Sequence, residues 1–159
     1  MNKASVIDTS LLILLVVGST SRKYIRKHKR LRVFSEDDFD ILLTLLSNTT
    51  ELLLTPNTLS EASNLLRQIE DPARSSIYTR FGEMIRQFDE RCVASRQVTV
   101  KPQFVRLGLT DSVLLSVAAG RARILTTDFE LYREALRAGY DVINFNHYRE
   151  LPRTDSKRP

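Results

Sequence analysis

Hydrophobic residues recur along the chain in two alternating patterns. Short apolar runs of the length of β-strands lie at 4–7, 50–55, 123–127 and 141–145. Between them lie longer stretches in which apolar residues return every three or four positions, as they do in amphipathic helices. Because strands that alternate with helices build parallel sheets, the pattern predicts an α/β fold: a three-layer sandwich with a mostly parallel central sheet flanked by helices.

The helices are predicted from this spacing and from the capping, glycine or proline residues that bound them. We expect helices over 11–17 ending at Gly18, 35–47 behind a capping box of Ser35 and Asp38, 58–70 ahead of Pro72, 77–88, 111–119 ending at Gly120, and 129–138 ending at Gly139. Thr58 is expected to cap the third of these. Residues 96–104 are polar and favour β structure without a clear assignment.

The chain has 159 residues, of which 42% are hydrophobic, which predicts one domain over 1–148 and a charged tail over 149–159. Cys92 is the single cysteine, and the two histidines are far apart, so neither a disulfide nor a Cys/His zinc site is expected. A cytoplasmic location is the simplest interpretation. The apolar run 11–17 resembles a signal-peptide core, but Asp8 directly before it favours a folded domain, and no run reaches the ~20 residues of a membrane span.

Twenty-four lysines and arginines against nineteen acidic residues give a net charge of +5. Part of this excess lies in one stretch without an acid, which we call the basic segment: Arg22, Lys23, Arg26, Lys27, Lys29, Arg30 and Arg32. Two interpretations stand side by side. The basic segment is either a solvated helix face or a surface that contacts RNA or a protein partner.

Four acidic residues stand at positions where helices begin. Asp8, Asp111 and Asp128 each precede a predicted helix, where an aspartate cap contributes ~1 kcal/mol, and Glu61 is three residues after Thr58, as in a capping box. Taken singly, each is explained by capping. Parallel strand order, however, brings the beginnings of these helices to the same edge of the sheet.

Four ionised carboxylates at one edge repel one another unless a cation compensates their charge. Oxygen ligands without histidine or cysteine suit Mg²⁺ or Mn²⁺, and such an ion activates water for attack on a phosphodiester. The pattern therefore predicts a divalent-metal site formed by Asp8, Glu61, Asp111 and Asp128.

Four segments carry a resemblance to a known family: VIDTSLLIL at 6–14, TPNTLSEASNLL at 55–66, LGLTDSVLLSVA at 107–118 and ILTTDFELY at 124–132. They resemble, in order, the four acidic motifs of PIN-domain nucleases. The resemblance implies a PIN-like fold, an endoribonuclease dependent on Mg²⁺ or Mn²⁺, and catalytic and metal-binding roles for the four acids. Thr127 matches a polar position of the fourth motif, and Ser10 is a further supporting polar candidate. Many small PIN proteins are toxins of toxin–antitoxin pairs, so an antitoxin partner and a homodimer are expected.

Two features depart from that family. The basic segment carries more positive charges than in the compact members of that family. Glu130 stands where a further aspartate often follows the fourth acid, so the number of metal ions at the site, one or two, is left open. The rival interpretation is a catalytically inactive PIN-like module that binds RNA or protein.

The chain lacks the residues that several other enzyme classes require. A haloacid-dehalogenase-type phosphatase needs a second carboxylate where Ser10 stands, and a receiver-like domain needs paired acids. No phosphate-binding glycine loop is present, and the candidate nucleophiles Ser10, Ser112 and Cys92 have no credible histidine base.

Overall fold

The computed structural model describes residues 3–149 and contains a five-stranded parallel sheet. The strands are Lys3–Ile7 (β1), Thr49–Leu54 (β2), Asp89–Glu90 (β3), Ala122–Thr126 (β4) and Val142–Asn144 (β5). Their order in the sheet is β3-β2-β1-β4-β5, and every neighbouring pair is parallel. The predicted α/β sandwich is confirmed.

Helices connect the strands. They are Thr9–Thr20 (α1), Arg22–Lys27 (α2), Glu36–Leu46 (α3), Pro56–Leu66 (α4), Ala73–Gln87 (α5), Ser95–Thr99 (α6), Phe104–Ala118 (α7), Phe129–Arg137 (α8) and Phe145–Arg149 (α9). A single 3₁₀ turn, Lys29–Leu31, follows α2. None of the helices in residues 3–149 is long and apolar enough to cross a membrane.

Alternation along the strands divides the core into two layers. Ile7 and Leu125 face one side, where α1 to α5 pack, and Val6 and Ile124 face the other, where α6, α7 and α8 pack. The helix α1 is buried on almost all sides, from Leu11 to Gly18, because it lies between the sheet and other helices. Both faces of the sheet are thereby covered, as a parallel sheet requires.

The prediction that Gly18 ends the first helix is wrong, because α1 continues to Thr20. Gly18 has another role. A Cβ at this position would lie 2.3 Å from the ring of Phe39, so the missing side chain lets α3 approach α1 closely.

Other elements also differ from the prediction, among them α5, which starts at Ala73 and not at residue 77. The helix α4 starts at Pro56 with Thr55 as its cap, not with Thr58, and the Thr55 hydroxyl accepts the backbone N–H of Thr58 at 3.1 Å. The ambiguous stretch 96–104 holds the short helix α6 rather than a strand. The two-residue strand β3 has no counterpart in the sequence pattern, because it is too short to show alternation.

The predicted tail begins at residue 149, but Arg149 ends α9, and its Nε donates to Asp38 at 3.0 Å. The guanidinium also lies 5.0 Å from the ring centre of Phe34. The rest of the predicted tail, 150–159, lies outside the described residues.

Candidate active site

The Asp8 side chain lies at the end of β1 and is almost fully buried, at 5% exposure. One carboxylate oxygen, Oδ1, accepts the Leu11 N–H at 2.9 Å and so caps α1. The other, Oδ2, accepts three donors: the Thr126 hydroxyl at 2.7 Å, the Thr127 N–H at 2.6 Å and the Thr127 hydroxyl at 3.1 Å. Burial raises the pKa of Asp8, and these hydrogen bonds oppose the rise.

Asp128 follows β4, the strand next to β1, so its backbone lies beside that of Asp8. It caps α8, with Oδ1 accepting the Leu131 N–H at 2.8 Å, and its own N–H donates to the Thr126 hydroxyl at 2.9 Å. Its side chain is exposed. The predicted capping by Asp8 and Asp128 is confirmed, and in both residues it occupies only one carboxylate oxygen.

Glu61 lies in the second turn of α4 and is not part of a capping box, because the cap of α4 is Thr55. Its Oε2 instead accepts the hydroxyl of Thr9, the first residue of α1, at 2.9 Å. This bond connects α4 to the start of α1 and holds the Glu61 carboxylate next to the Asp8 position. The prediction that Glu61 belongs to a capping box with Thr58 is therefore wrong.

Asp111 is not a helix cap either. The helix α7 begins at Phe104 and is interrupted at Gly108, whose φ of 78° suits glycine, and Asp111 stands in the turn after this break. Its carboxylate makes no hydrogen bond or ion pair with another residue in the described part of the chain. A half-buried carboxylate without a donor is costly for the folded state.

The four predicted acids lie near one another. The pKa of Asp111 is raised to about 7, first by its burial and then by the negative charges of Asp8, Asp128 and Glu61. The convergence expected from parallel strand order therefore appears in the electrostatics of Asp111. A cation at this edge would relieve the repulsion.

The chemistry of these donors fits Mg²⁺ or Mn²⁺, since all are carboxylate oxygens and Asp111 has no hydrogen-bond or ion-pair partner among the described residues. Their present arrangement is more open than a metal site. Among residues 3–149, no three acidic, histidine or cysteine side chains are close enough together to hold one metal ion. Binding of one ion by several of these carboxylates would require side-chain rotation.

Glu130 lies outside the group of four. Its carboxylate pairs with Arg106 at 3.3 Å and lies 3.9 Å from Arg133, and its charge is not among those that raise the pKa of Asp111. Glu130 thus joins α8 to the first part of α7. Ser10, in the first turn of α1, makes no side-chain hydrogen bond within residues 3–149.

Three polar residues of the site were not singled out from the sequence. Thr126 is fully buried and bridges Asp8 to the backbone of Asp128, Thr9 holds Glu61, and Asn146 donates to the Thr127 carbonyl at 3.2 Å. Thr126 could have been found from the strand pattern, because it is a polar residue at a position where the strand is otherwise buried.

The basic segment is divided in its contacts. Arg22 pairs with Asp40 at 2.6 Å and stacks on Phe39, and Arg26 lies 3.8 Å from Glu36, so both attach α2 to α3. The other cations have exposed side chains without an ion pair in the described part of the chain: Lys23, Lys27, Lys29, Arg30 and Arg32. The solvated-face interpretation therefore holds least well for Arg22 and Arg26.

Comparison of the chain with models of protein families gives no match, and comparison with curated proteins gives none either. A function must therefore be argued from the residues of the site.

Proposed function

We propose that the protein is a PIN-type ribonuclease that uses Mg²⁺ or Mn²⁺ to hydrolyse RNA phosphodiester bonds at Asp8, Glu61, Asp111 and Asp128. One observation carries the proposal: the Asp111 carboxylate is half-buried, has no hydrogen-bond donor in residues 3–149, and has its pKa raised by the negative charges of three other carboxylates as well as by burial. A fold that used these four residues only for structure would gain nothing from the mutual repulsion of their charges. A divalent ion would remove its cost.

The four acids would have different tasks. Asp111 is the ligand with free oxygens, while Asp8 is oriented by Thr126 and Thr127 and keeps a fixed direction. Asp128 and Glu61 each have one oxygen engaged and, as far as residues 3–149 go, one left for an ion or a water molecule. A bound Mg²⁺ or Mn²⁺ would activate water and neutralise charge on the phosphodiester.

The biological role that accompanies this proposal is the toxin of a toxin–antitoxin pair, acting in the cytoplasm as a homodimer. Its support is the resemblance of the four acidic segments to PIN-domain motifs. Light scattering of the purified chain tests the dimer, and relief of growth inhibition by a co-expressed neighbouring gene product tests the antitoxin.

The activity is tested with end-labelled single-stranded RNA, incubated with Mg²⁺, Mn²⁺ or EDTA. We expect endonucleolytic fragments with either metal and none in EDTA. Asp111→Asn should lower the rate by more than about 100-fold, because even residues behind a metal ligand commonly cost about 10- to 100-fold. Glu51→Gln is the matched control: it neutralises an exposed carboxylate of β2 and should retain the rate.

The second candidate is a module that binds RNA or protein without cutting. It is favoured by the open arrangement of the acids, none of which forms a three-ligand cluster within residues 3–149. RNA binding that is equal in EDTA and Mn²⁺, with intact RNA after long incubation, would select this candidate over the nuclease.

A further inference from the structure

A polar cavity of about 560 Å³ lies at the same edge of the sheet as the acids. Its lining includes Asn146 of α9, which directly follows β5, and Ser35, which caps α3. The helix α3 leads into the amino end of β2, so its own beginning lies at the carboxyl edge. The cavity and the acidic site are therefore neighbours.

Two hydrogen bonds connect the cavity wall to Asp8. The Asn146 side chain donates to the Thr127 carbonyl at 3.2 Å, and the Thr127 N–H donates to Asp8 at 2.6 Å. A ligand in the cavity would thus lie on the β5 side of the acidic group.

The charges in the lining favour an anion. Arg149 is engaged, because it donates to Asp38 at 3.0 Å, to Asn146 at 3.3 Å and to the Val33 carbonyl. Arg32 also lines the cavity, and its guanidinium has no acidic partner in residues 3–149. Among the described residues of the lining, the charges of Arg149 and Asp38 cancel, so Arg32 gives the lining a net positive charge.

We propose that this cavity binds a phosphate group of the RNA chain, other than the one that is cut, through Arg32. The inference rests on the proposed function and assigns one member of the basic segment to the substrate. A guanidinium presents paired donors that match two phosphate oxygens, and it stays charged at all relevant pH values. The Ser35 hydroxyl accepts the backbone N–H of Asp38 at 3.2 Å and donates to no group within residues 3–149, so its own proton can be donated to a phosphate oxygen.

The test compares Arg32→Gln with Lys23→Gln. Both remove one exposed positive charge of the basic segment, but Lys23 lies in α2 and does not line this cavity. Binding of a labelled ten-nucleotide single-stranded RNA is measured in EDTA over a range of salt, so that no cleavage is required. We expect Arg32→Gln to raise Kd about tenfold and to reduce the slope of log Kd against log salt by about 0.7, with Lys23→Gln near the parent.

Inorganic phosphate is added as a competitor to separate RNA from a free anion. The inference would be overturned if two results came together. Millimolar phosphate would raise the Tm of the parent but not of Arg32→Gln, and the Kd for RNA would be the same in both proteins. The cavity would then be a site for free anions. Equal losses of RNA binding in Arg32→Gln and Lys23→Gln would also overturn the inference, since they would show only an effect of net charge.

The outcome is separable from that of the proposed function. If RNA binding depends on Arg32 but the protein never cuts RNA, the phosphate site in the cavity is supported and the proposed nuclease activity is refuted. If the chain cuts RNA, Arg32→Gln should raise KM and leave kcat unchanged, whereas a fall in kcat alone would contradict a phosphate contact away from the cut.

Discussion

The backbone N–H of Thr127 donates to the Asp8 carboxylate at 2.6 Å, across 119 positions of sequence. This bond joins the ends of β1 and β4, and the hydroxyls of Thr126 and Thr127 reach the same oxygen. Asp8 is therefore held by the neighbouring strand as well as by its own helix. A carboxylate fixed in this way keeps its direction when the rest of the site is rearranged.

Replacing Thr126 by valine should destabilise the protein by about 1–3 kcal/mol. The Thr126 hydroxyl is fully buried, donates to Asp8 and accepts from the Asp128 N–H. Valine therefore removes one of the three donors to Asp8 Oδ2 and leaves the Asp128 N–H without its acceptor. Urea denaturation measures the change. Thr99→Val, which removes an exposed hydroxyl bonded to the Arg96 carbonyl, should stay within about 0.5 kcal/mol. Equal effects of the two substitutions would show that Thr126 does not support Asp8.

Asp111→Asn should stabilise the metal-free protein at pH 7–8, on the order of 2 kcal/mol after allowance for partial exposure. The pKa of Asp111 is raised from 3.8 to about 7 by burial and by three negative neighbours. The folded state therefore binds the Asp111 proton more tightly than the unfolded state does. The stabilisation of the folded state by this proton is complete below pH 4 and is lost as the pH rises through 7. The increase in the free energy of unfolding caused by Asp111→Asn should become smaller as the pH falls toward 4. A variant less stable than the parent at pH 8 in EDTA would indicate a structural role instead.

Mn²⁺ should raise the Tm of the parent protein, because an ion that binds only the folded state stabilises it by mass action, about 2.7 kcal/mol at a hundred times its Kd. Asp111→Asn should respond much less at the same concentration. Glu51→Gln should respond like the parent, since its carboxylate is exposed and lies outside the acidic group. Identical shifts in all three proteins would place the bound ion elsewhere.

His28 should make the fold sensitive to mild acid. It is fully buried, its Nδ1 accepts the Arg30 N–H at 3.2 Å, and its Nε2 lies 3.2 Å from the Leu66 carbonyl, so the ring is neutral with its proton on Nε2. Burial lowers the pKa of His28 below 6.5. The unfolded state therefore takes up a proton first, and the stability present above pH 6.5 is lost as the pH falls toward the folded-state pKa.

Asp111 changes stability in the opposite direction over the same range, so the His28 effect is measured in the Asp111→Asn background. As the pH falls from 7.5 to 5, the unfolding free energy of Asp111→Asn should decrease relative to that of the Asp111→Asn, His28→Gln double variant, because the raised pKa of Asp8 acts equally in both proteins. Parallel curves for the two proteins would show that His28 does not titrate on unfolding.

Gly18→Ala should destabilise the protein by about 1–3 kcal/mol, because the new methyl group would lie 2.3 Å from the Phe39 ring and force α1 and α3 apart. Gly82→Ala is the matched control. Gly82 is inside α5, where a Cβ meets only the Arg86 side chain at 3.5 Å, so alanine should be neutral or stabilising by up to about 1 kcal/mol. Thermal unfolding of the two variants gives the comparison.

The sequence was sufficient for the parallel α/β architecture and for four of the five strands, and strand order alone brought the acids to one edge; only the two-residue strand β3 was missed. It was insufficient where tertiary contacts decide. Gly18 was expected to end a helix, yet it lies inside one to admit Phe39. Asp111 was expected to cap, yet the helix begins seven residues earlier and breaks at Gly108.

The partners of the acids were equally hidden from the sequence. The Thr9–Glu61 bond spans 52 positions and the Thr126–Asp8 bond spans 118, and no local pattern predicts a contact at such separations. Of the seven cations in the basic segment, two are used by α3 and one lines the cavity beside the acids, a division that only the packing of α2 and α3 reveals.

We propose above that Asp111 and its three acidic neighbours hold a divalent ion that drives RNA cleavage. The most direct measurement is the cleavage rate of single-stranded RNA as a function of Mn²⁺ concentration for the parent, Asp111→Asn and Glu51→Gln. We expect the rate to rise and saturate for the parent and Glu51→Gln, and to stay at a small fraction of that rate for Asp111→Asn at any Mn²⁺ concentration. Equal, metal-dependent cleavage by Asp111→Asn, or no cleavage by the parent with either metal, would contradict the proposal.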